Sequence, residues 1–226
     1  MAIRAFVFDM DGTILHSLPD LAIATNEALE RQGYPTHTYD EIMSYMGNGA
    51  QKLIERALPP GTSDSVCKRT FDLWRAIYLQ SDYANTAPFP GIIDTVRELR
   101  RRGMKTGILS NKFDAGVRGL AEQYFPGLFD VVRGEIPPAP RKPDPTTLLQ
   151  MLDDLGVSPK ETVYVGDLNI DAKTARNAGC TFAGVSWGYA KASPLPVETL
   201  DVYIHEPGEL LDLLDEQAVA PIDYRM

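Results

Sequence analysis

The chain of 226 residues is long enough to bury one core, or one core with a smaller inserted domain. Its formal net charge of −9 disfavours nucleic acid and anionic membranes as partners, because binding a phosphate backbone requires clustered cations. No run of residues approaches a transmembrane span, and Cys67 and Cys180 lie far apart without a metal-ligand pattern, so we expect a reduced, cytoplasmic protein.

The amino-terminal stretch IRAFVFDMDGTIL predicts a buried strand that ends at two carboxylates. Residues 3–8 form an apolar, β-branched and aromatic run, which is typical of a strand in a parallel sheet. Asp9 and Asp11 follow it and share a face, since side chains two apart on an extended segment point the same way. At about 5 Å and an effective dielectric of about 20, such a pair costs roughly 3 kcal/mol. Either one carboxyl group is protonated or a cation lies between them.

The next segment, from Pro19 to about Asp82, has the pattern of helices alone. A first helix starts at Ser17 or Pro19 and ends near Gly33; two short helices span residues 42–46 and 50–58, and Thr62 or Ser63 caps a longer one. The loop Gly47-Asn48-Gly49 separates the two short helices, and a proline-rich connector spans residues 85–91. We therefore predict a helical cap over residues 17–85, inserted into a core formed by residues 1–16 and 86–226.

Strands and helices alternate in the remainder of the chain. Strands are predicted over residues 105–109, 129–132, 162–165, 181–185 and 202–204. Helices are predicted over residues 92–103, 114–124, 146–155, 170–178 and 209–214. This alternation indicates an α/β protein with a Rossmann-like parallel sheet core and an inserted all-helical cap domain.

Polar residues with chemical potential lie at or beyond the carboxyl ends of these strands, where ligands bind in open α/β sheets. Each alone could be a helix cap or a solvated loop residue. Together they are hard to explain as caps, and they indicate a site at one edge of the sheet. The set comprises Asp9, Asp11, Ser110, Asn111, Lys142, Asp167 and Asp171.

The segments DMDGT, LSN, RKPDP and GDLNID, in this order, resemble the four motifs of the haloacid dehalogenase-like hydrolase superfamily. The resemblance covers nearly the whole chain, including the helical segment between the first two motifs. Within the superfamily, VFDMDGTIL, MGNGAQKLIERAL, SNK and the tail PLPVETLDVYIHEPGEL are similar to phosphoglycolate phosphatases.

The resemblance implies a Mg²⁺-dependent phosphomonoester hydrolase that acts through an aspartyl-phosphate, most simply on 2-phosphoglycolate or a similar small phosphorylated metabolite. It implies that Asp9 is the nucleophile and Asp11 the general acid and base. Ser110 would bind a phosphoryl oxygen, and Lys142 would neutralise charge. The implied metal ligands are Asp9, Asp167, the backbone carbonyl of Asp11, and Asp171 through water or as a support. Thr13 and Asn111 are further predicted substrate contacts, and we expect a monomer or homodimer.

The cap loop is a candidate for recognising the other end of the substrate. Gly47 and Gly49 flank Asn48 and expose backbone N–H groups at a helix start, which favours an anion such as a carboxylate. Alternatively, the two glycines only separate two helices.

Some features depart from the family pattern. His16 lies where an acidic residue is frequent, and Leu168 lies where many relatives carry a small hydroxyl residue. A pyrophosphatase and a phosphosugar mutase of the same superfamily remain alternatives, although mutases usually carry an arginine where Ala50 stands here. A non-enzymatic phosphoacceptor signalling module would also gather acids and a lysine, but the cap and GDLNID argue against it.

Overall fold

The computed structural model describes residues 2–190 and 195–214. Residues 1, 191–194 and 215–226, which the predicted core domain includes, lie outside the described residues. The proline at the start of the tail motif, Pro194, is one of them. In the part that is described, no helix is long and apolar enough to span a lipid bilayer.

The described strands are β1 (Ala5–Phe8), β2 (Leu15–His16), β3 (Ala87–Pro88), β4 (Lys105–Phe113), β5 (Val131–Glu135), β6 (Thr162–Gly166), β7 (Thr181–Val185) and β8 (Val202–Ile204). The α-helices are α1 (Leu18–Glu30), α2 (Tyr39–Ser44), α3 (Ala50–Ala57), α4 (Asp64–Gln80), α5 (Ile92–Arg101), α6 (Asp114–Tyr124), α7 (Thr146–Leu155) and α8 (Asn169–Ala178). Short 3-10 helices cover Pro159–Glu161, Val197–Thr199 and Pro207–Leu214.

Six strands form one parallel sheet in the order β5-β4-β1-β6-β7-β8. Strand β1 lies inside the sheet, between β4 and β6. The carboxyl ends of these three strands therefore adjoin, and they carry Asp9, Ser110 and Asp167. This sheet, with helices in its connections, confirms the predicted α/β fold class.

Alternating side chains of β1 build the two apolar layers of the core. Phe6 and Phe8 pack on one face with residues of α5 and α6, whereas Ala5 and Val7 pack on the other with residues of α7 and α8. All four side chains are fully buried. A strand covered on both faces has no polar position, which explains the continuous apolar run in the sequence.

Helices α1–α4 form the inserted cap and enclose a third apolar cluster that contains Trp74 and Tyr78. Leu168 and Tyr189 from the core join this cluster, so the cap packs directly on the core. The all-helical cap is thus confirmed, while its boundaries at residues 17 and 85 remain a proposal. The second helix begins three residues earlier than predicted, because Thr38 and Glu41 form a capping box.

Two predicted strand limits are wrong. Strand β4 continues through Ser110 and Asn111 to Phe113 instead of ending at Leu109. Strand β5 covers Val131–Glu135, not residues 129–132, because it pairs with this longer β4 up to Phe113. The closing helix is a 3-10 helix over Pro207–Leu214. Each of these limits depends on tertiary pairing or packing and not on the local pattern.

The two connectors between cap and core pair with each other as an antiparallel ribbon of β2 and β3, which the sequence did not predict. Next to this ribbon, the buried Asp20 of α1 ties the cap to the second connector. Its carboxylate accepts hydrogen bonds from Asn85 N at 3.1 Å, Asn85 Nδ2 at 3.0 Å and Thr86 Oγ1 at 2.6 Å. The first cap helix is therefore anchored at its junction with the core.

We predict that Asp20→Ala lowers the free energy of unfolding by about 3 kcal/mol, because three partly buried donors lose their acceptor. For a chain of this size the Tm should fall by about 6–12 °C in a calorimetric scan. Asp153→Ala on the exposed face of α7 is the matched control and should change the Tm little. Equal Tm values for the two variants would contradict the anchoring role.

Candidate active site

Asp9 leaves the end of β1 and lies against a buried lysine. Its backbone N–H donates to Val165 O at 2.9 Å, which continues the pairing of β1 with β6 by one residue. The Lys142 Nζ atom lies 2.9 Å from Asp9 Oδ1 and 2.7 Å from Asp171 Oδ1. The first of these contacts is an ion pair without hydrogen-bond alignment, so Asp9 Oδ1 has no aligned donor among the described residues.

Asn111 holds the loop that carries Lys142. Its Oδ1 accepts from Lys142 N at 2.9 Å, and its Nδ2 donates to Lys142 O at 3.1 Å. The same Nδ2 lies 3.2 Å from Gly47 O in the cap loop. The predicted substrate contact of Asn111 therefore has its side chain engaged with protein backbone, where it positions the lysine and the cap loop.

Three buried carboxyl groups form a candidate metal centre. Asp9, Asp167 and Asp171 each offer one oxygen, and these oxygens lie within 4.8 Å of one another. Thr13 Oγ1 donates to Asp167 Oδ1 at 3.1 Å, and Tyr189 N donates to Asp167 Oδ2 at 2.7 Å. Thr13, which is predicted to contact substrate, thus donates its hydroxyl hydrogen to an acid of the cluster.

The charges of this cluster do not balance. Burial, with the neighbouring Asp171 carboxylate, raises the pKa of Asp9 to about 7 despite the opposing effect of Lys142. Burial and the charges of Asp171 and Asp9 also raise the pKa of Asp167 well above its usual range. Burial disfavours the ammonium of Lys142, but Asp171 and Asp9 raise its pKa well above the ordinary value. Three carboxyl groups share one cation, the Lys142 ammonium. A divalent metal ion would supply the missing positive charge, and carboxylate oxygens are suitable ligands for it.

Gly12 makes room for this arrangement at the turn after β1. Its φ of +89° lies in the region that favours glycine. A Cβ at this position would lie 2.3 Å from Asp167 Oδ2 and 2.7 Å from the Tyr189 ring. The glycine of the DMDGT segment therefore lets the first turn approach the acid that follows β6.

Asp11 turns away from the cluster and binds a second buried lysine. Lys112 Nζ donates to both of its carboxylate oxygens, at 3.0 and 3.1 Å, and Ser17 Oγ donates to Oδ1. The same ammonium lies 4.6 Å from the centroid of the Tyr78 ring in the cap. The Asp11 carboxylate is therefore held at the junction of core and cap, separate from the three clustered acids.

Lys112, Ser17 and Tyr189 were not among the residues predicted for the site. A signal for Lys112 was present, because Ser110 and Lys112 lie two apart and share a face of an extended strand. Because β4 was predicted to end at Leu109, Lys112 was not placed on the strand. No local pattern identified Ser17 or Tyr189. Ser17 contacts Asp11 across an irregular turn, and Tyr189 contacts Asp167, which is distant in sequence.

A small cavity of about 50 Å³ opens between this edge of the sheet and the cap. Core and cap both line it, with Asp9, Asp11, Ser110, Asn111, Lys112, Lys142 and Leu168 on one side and Leu21, Met46, Gly47, Gly49, Ala50, Leu53 and Trp74 on the other. A larger cavity of about 510 Å³ lies beyond Ser110 and Asn111, but none of the four predicted catalytic and metal-binding aspartates borders it.

Two residues singled out in the sequence are placed elsewhere. Asn48 lines a neighbouring cavity, and its Oδ1 accepts from Arg56 Nη2 at 2.7 Å, so the cavity above Asp9 is bordered by Gly47 and Gly49 without it. His16 lies in the β2–β3 ribbon, where its ring nitrogens are 3.2 Å from Tyr189 Oη and 3.3 Å from Tyr39 Oη. Leu168, in contrast, lines the cavity and packs in the cluster of the cap.

Comparison with known proteins agrees with this architecture. The family model described as haloacid dehalogenase-like hydrolase matches residues 6–185. The phosphoglycolate phosphatase of Pseudomonas putida is 33% identical over 92% of this chain and 78% of its own length. That of Aquifex aeolicus is 30% identical over 96% and 99%.

A solved structure shows the same fold over nearly the whole chain. It is a proposed phosphoglycolate phosphatase from Lactobacillus delbrueckii subsp. bulgaricus, with a TM-score of 0.87 and 30% identity. The match covers 95% of this chain and 99% of that one. These similarities confirm the predicted resemblance and the predicted class of enzyme, a phosphoric monoester hydrolase. The chain belongs to the haloacid dehalogenase-like hydrolase family.

Proposed function

We propose that this protein is a Mg²⁺-dependent phosphatase that forms an aspartyl-phosphate on Asp9 and hydrolyses 2-phosphoglycolate or a similar small phosphate ester. The observation that carries the proposal is the buried cluster of Asp9, Asp167 and Asp171, in which Lys142 contacts Asp9 and Asp171 and Asp9 lines a small cavity. The family and the relatives named above support the same reaction class.

Asp9, Asp167 and the backbone carbonyl of Asp11 would hold the cation, with Asp171 acting directly or through water. When bound, a divalent cation supplies the positive charge that lets a carboxylate approach a phosphate dianion. Lys142 stays protonated between Asp9 and Asp171 and keeps the Asp9 carboxylate facing the cavity. The Ser110 Oγ atom accepts from Lys112 N at 3.3 Å, which leaves its O–H free to donate to a phosphoryl oxygen.

In the first step, Asp9 forms a bond to phosphorus while the bond from phosphorus to the ester oxygen breaks. Asp11 first takes up a proton from solvent and passes it to the leaving oxygen, and its carboxylate later accepts a proton from the water that hydrolyses the aspartyl-phosphate. Lys112 and Ser17 act on this reaction through Asp11, because they fix the direction of its carboxylate.

The proposed role of the cap loop in recognition rests on Gly47 and Gly49, which border the cavity. Gly49 has a φ of +82°, and a Cβ there would lie 3.1 Å from both Asn111 O and Glu135 Oε2. A side chain at this position would therefore strain the loop backbone and crowd the core. A Gly49 variant would affect every substrate and is a poor test of recognition.

The cap residues that line the cavity include no cation for a second phosphate, and Ala50 stands where mutases usually carry an arginine, which makes a phosphosugar mutase the weaker candidate. Pyrophosphate is small enough to remain a candidate substrate. A non-enzymatic phosphoacceptor differs from both because it would not turn over. The cytoplasmic location and the monomer or homodimer state remain predictions from the sequence.

One prediction of the proposed mechanism concerns turnover. With Mg²⁺, the protein should hydrolyse 2-phosphoglycolate faster than pyrophosphate, sugar phosphates or nucleoside monophosphates, measured as released inorganic phosphate. Asp9→Asn should lower this rate by about a thousandfold or more while the Tm changes little, because the nucleophile is lost without a change in shape. A variant that keeps a tenth of the rate would remove Asp9 from its role, and a wild-type protein inactive on every ester would remove the proposed function.

A second prediction concerns the metal. In the metal-free folded protein Asp9 keeps a proton up to about pH 7, whereas the unfolded chain releases it near pH 4. The contribution of Asp9 to the free energy of unfolding of the metal-free protein therefore falls as the pH rises from about 4 to about 7. A cation that binds the carboxylate removes this loss, so Mg²⁺ should raise the Tm more at about pH 8 than at about pH 6.

Differential scanning fluorimetry with Mg²⁺ or with a chelator measures this difference, and Asp167→Asn should reduce it. The exposed Asp153→Asn is the matched control and should preserve it. Identical Mg²⁺ effects at both pH values, or none at all, would exclude these carboxyl groups as the metal site.

A third prediction separates the roles of the first two acids. With p-nitrophenyl phosphate, whose leaving group needs no proton, Asp11→Asn should still form the aspartyl-phosphate but hydrolyse it slowly. Stopped-flow absorbance should then show a burst of p-nitrophenolate close to one equivalent of enzyme, followed by slow turnover. With 2-phosphoglycolate the same variant should lose about a hundredfold or more. Asp9→Asn should give no burst, and a burst of equal size from it would reverse the assignment.

A further inference from the structure

The cap covers the active-site cavity almost entirely with apolar groups. Its contributions are Leu21, Met46, Gly47, Gly49, Ala50, Leu53 and Trp74. Among these lining residues, Trp74 is the one whose side chain carries a hydrogen-bond donor. A polar group on the substrate that points away from Asp9 therefore meets either the backbone of the cap loop or this indole.

The indole N–H of Trp74 has no acceptor in the part of the chain that the structure describes. Trp74 is fully buried, and its Nε1 atom has no hydrogen-bond partner among the described residues. Trp187, the second tryptophan of the chain, differs, because its Nε1 donates to Thr13 O at 3.0 Å. Buried donors are almost always paired in folded proteins, so an unpaired one that borders a ligand cavity requires an explanation.

The position of the Trp74 ring is fixed by its neighbours. Phe71 stacks on it at 6.1 Å between ring centroids, and Tyr78 stacks on it at 5.1 Å with an angle of 9° between the planes. Phe113 of the core packs against it edge-to-face at 6.1 Å. Phe71 and Tyr78 lie one turn before and after Trp74 on α4, and both stack on the indole. The indole borders the cavity between these neighbours, and its unpaired Nε1 atom is buried in that wall.

We infer that the Trp74 Nε1–H group donates a hydrogen bond to an acceptor oxygen at the non-phosphate end of the substrate, such as the carboxylate of 2-phosphoglycolate. This inference rests on the proposed function, since it names the group that reads the rest of the same ester. A rigid aromatic donor in an apolar wall selects a small ester with an acceptor there over one that ends in a methyl group.

The test compares 2-phosphoglycolate with ethyl phosphate, which has the same carbon chain but no carboxylate. Trp74→Phe keeps an aromatic ring in the stack and removes the N–H. It should raise the KM for 2-phosphoglycolate about tenfold or more, as expected for losing a hydrogen bond to a charged group, with a much smaller effect on kcat. The KM for ethyl phosphate should change far less.

Tyr78→Phe is the matched control, because it removes another buried polar atom without a partner, four residues away on the same helix. The Tyr78 side chain does not line the cavity, so its removal should leave the preference between the two esters unchanged. If Trp74→Phe fails to fold, the tryptophan analogue 3-benzothienylalanine can be introduced at position 74 alone. It replaces the indole N–H by sulfur in a ring of nearly the same shape.

A selective rise in KM for 2-phosphoglycolate supports the inference. Equal changes for the two esters, or no change for either, overturn it while the wild-type phosphatase activity stands. A wild-type protein that hydrolyses both esters with the same KM also overturns it. A wild-type protein that hydrolyses no ester instead overturns the proposed function, so the two failures are distinct.

Discussion

The burial of three carboxyl groups around one ammonium is the constraint on which the rest of the site depends. Asp9, Asp167 and Asp171 lie within 4.8 Å of one another, and Lys142 contacts two of them. Removing charges from water is costly unless they are paired, and here one cation is too few. The fold therefore holds a deficit of positive charge beside the cavity that Asp9 lines, which suits a divalent cation.

The order of the strands is what makes this cluster possible. Because β1 lies between β4 and β6, the residues that follow the three strands come together although they are about 100 and 160 positions apart in sequence. Gly12 then allows the turn after β1 to touch Asp167, and Asn111 fixes the backbone of Lys142. Asp167 and Lys142 thus have their positions set by residues of neighbouring strands and of the turns after them, which restricts their movement.

Much of this could be predicted from the sequence, because buried parallel strands read as apolar runs and their carboxyl ends mark the site. The alternation of elements, the helical cap and the acids at positions 9, 167 and 171 follow from that pattern. Lys112 was missed because the pairing with β5, and not local propensity, extends β4 beyond Leu109. The β2–β3 ribbon and the aromatic stack at Trp74 depend on contacts between distant segments, for which a single sequence gives no periodic signal.

The division of chemistry between core and cap explains why both are needed at one cavity. The core supplies the charged groups, whereas the cap supplies an apolar wall that excludes water and strengthens the electrostatic interactions below it. Tyr189 joins the two parts: its N–H donates to Asp167 Oδ2, and its hydroxyl accepts from Leu18 N at the start of α1. A displacement of the first cap helix would therefore act on the residue that orients an acid of the proposed metal site. The seating of the cap and the geometry of the acid cluster are thus mechanically coupled through one side chain and its own backbone.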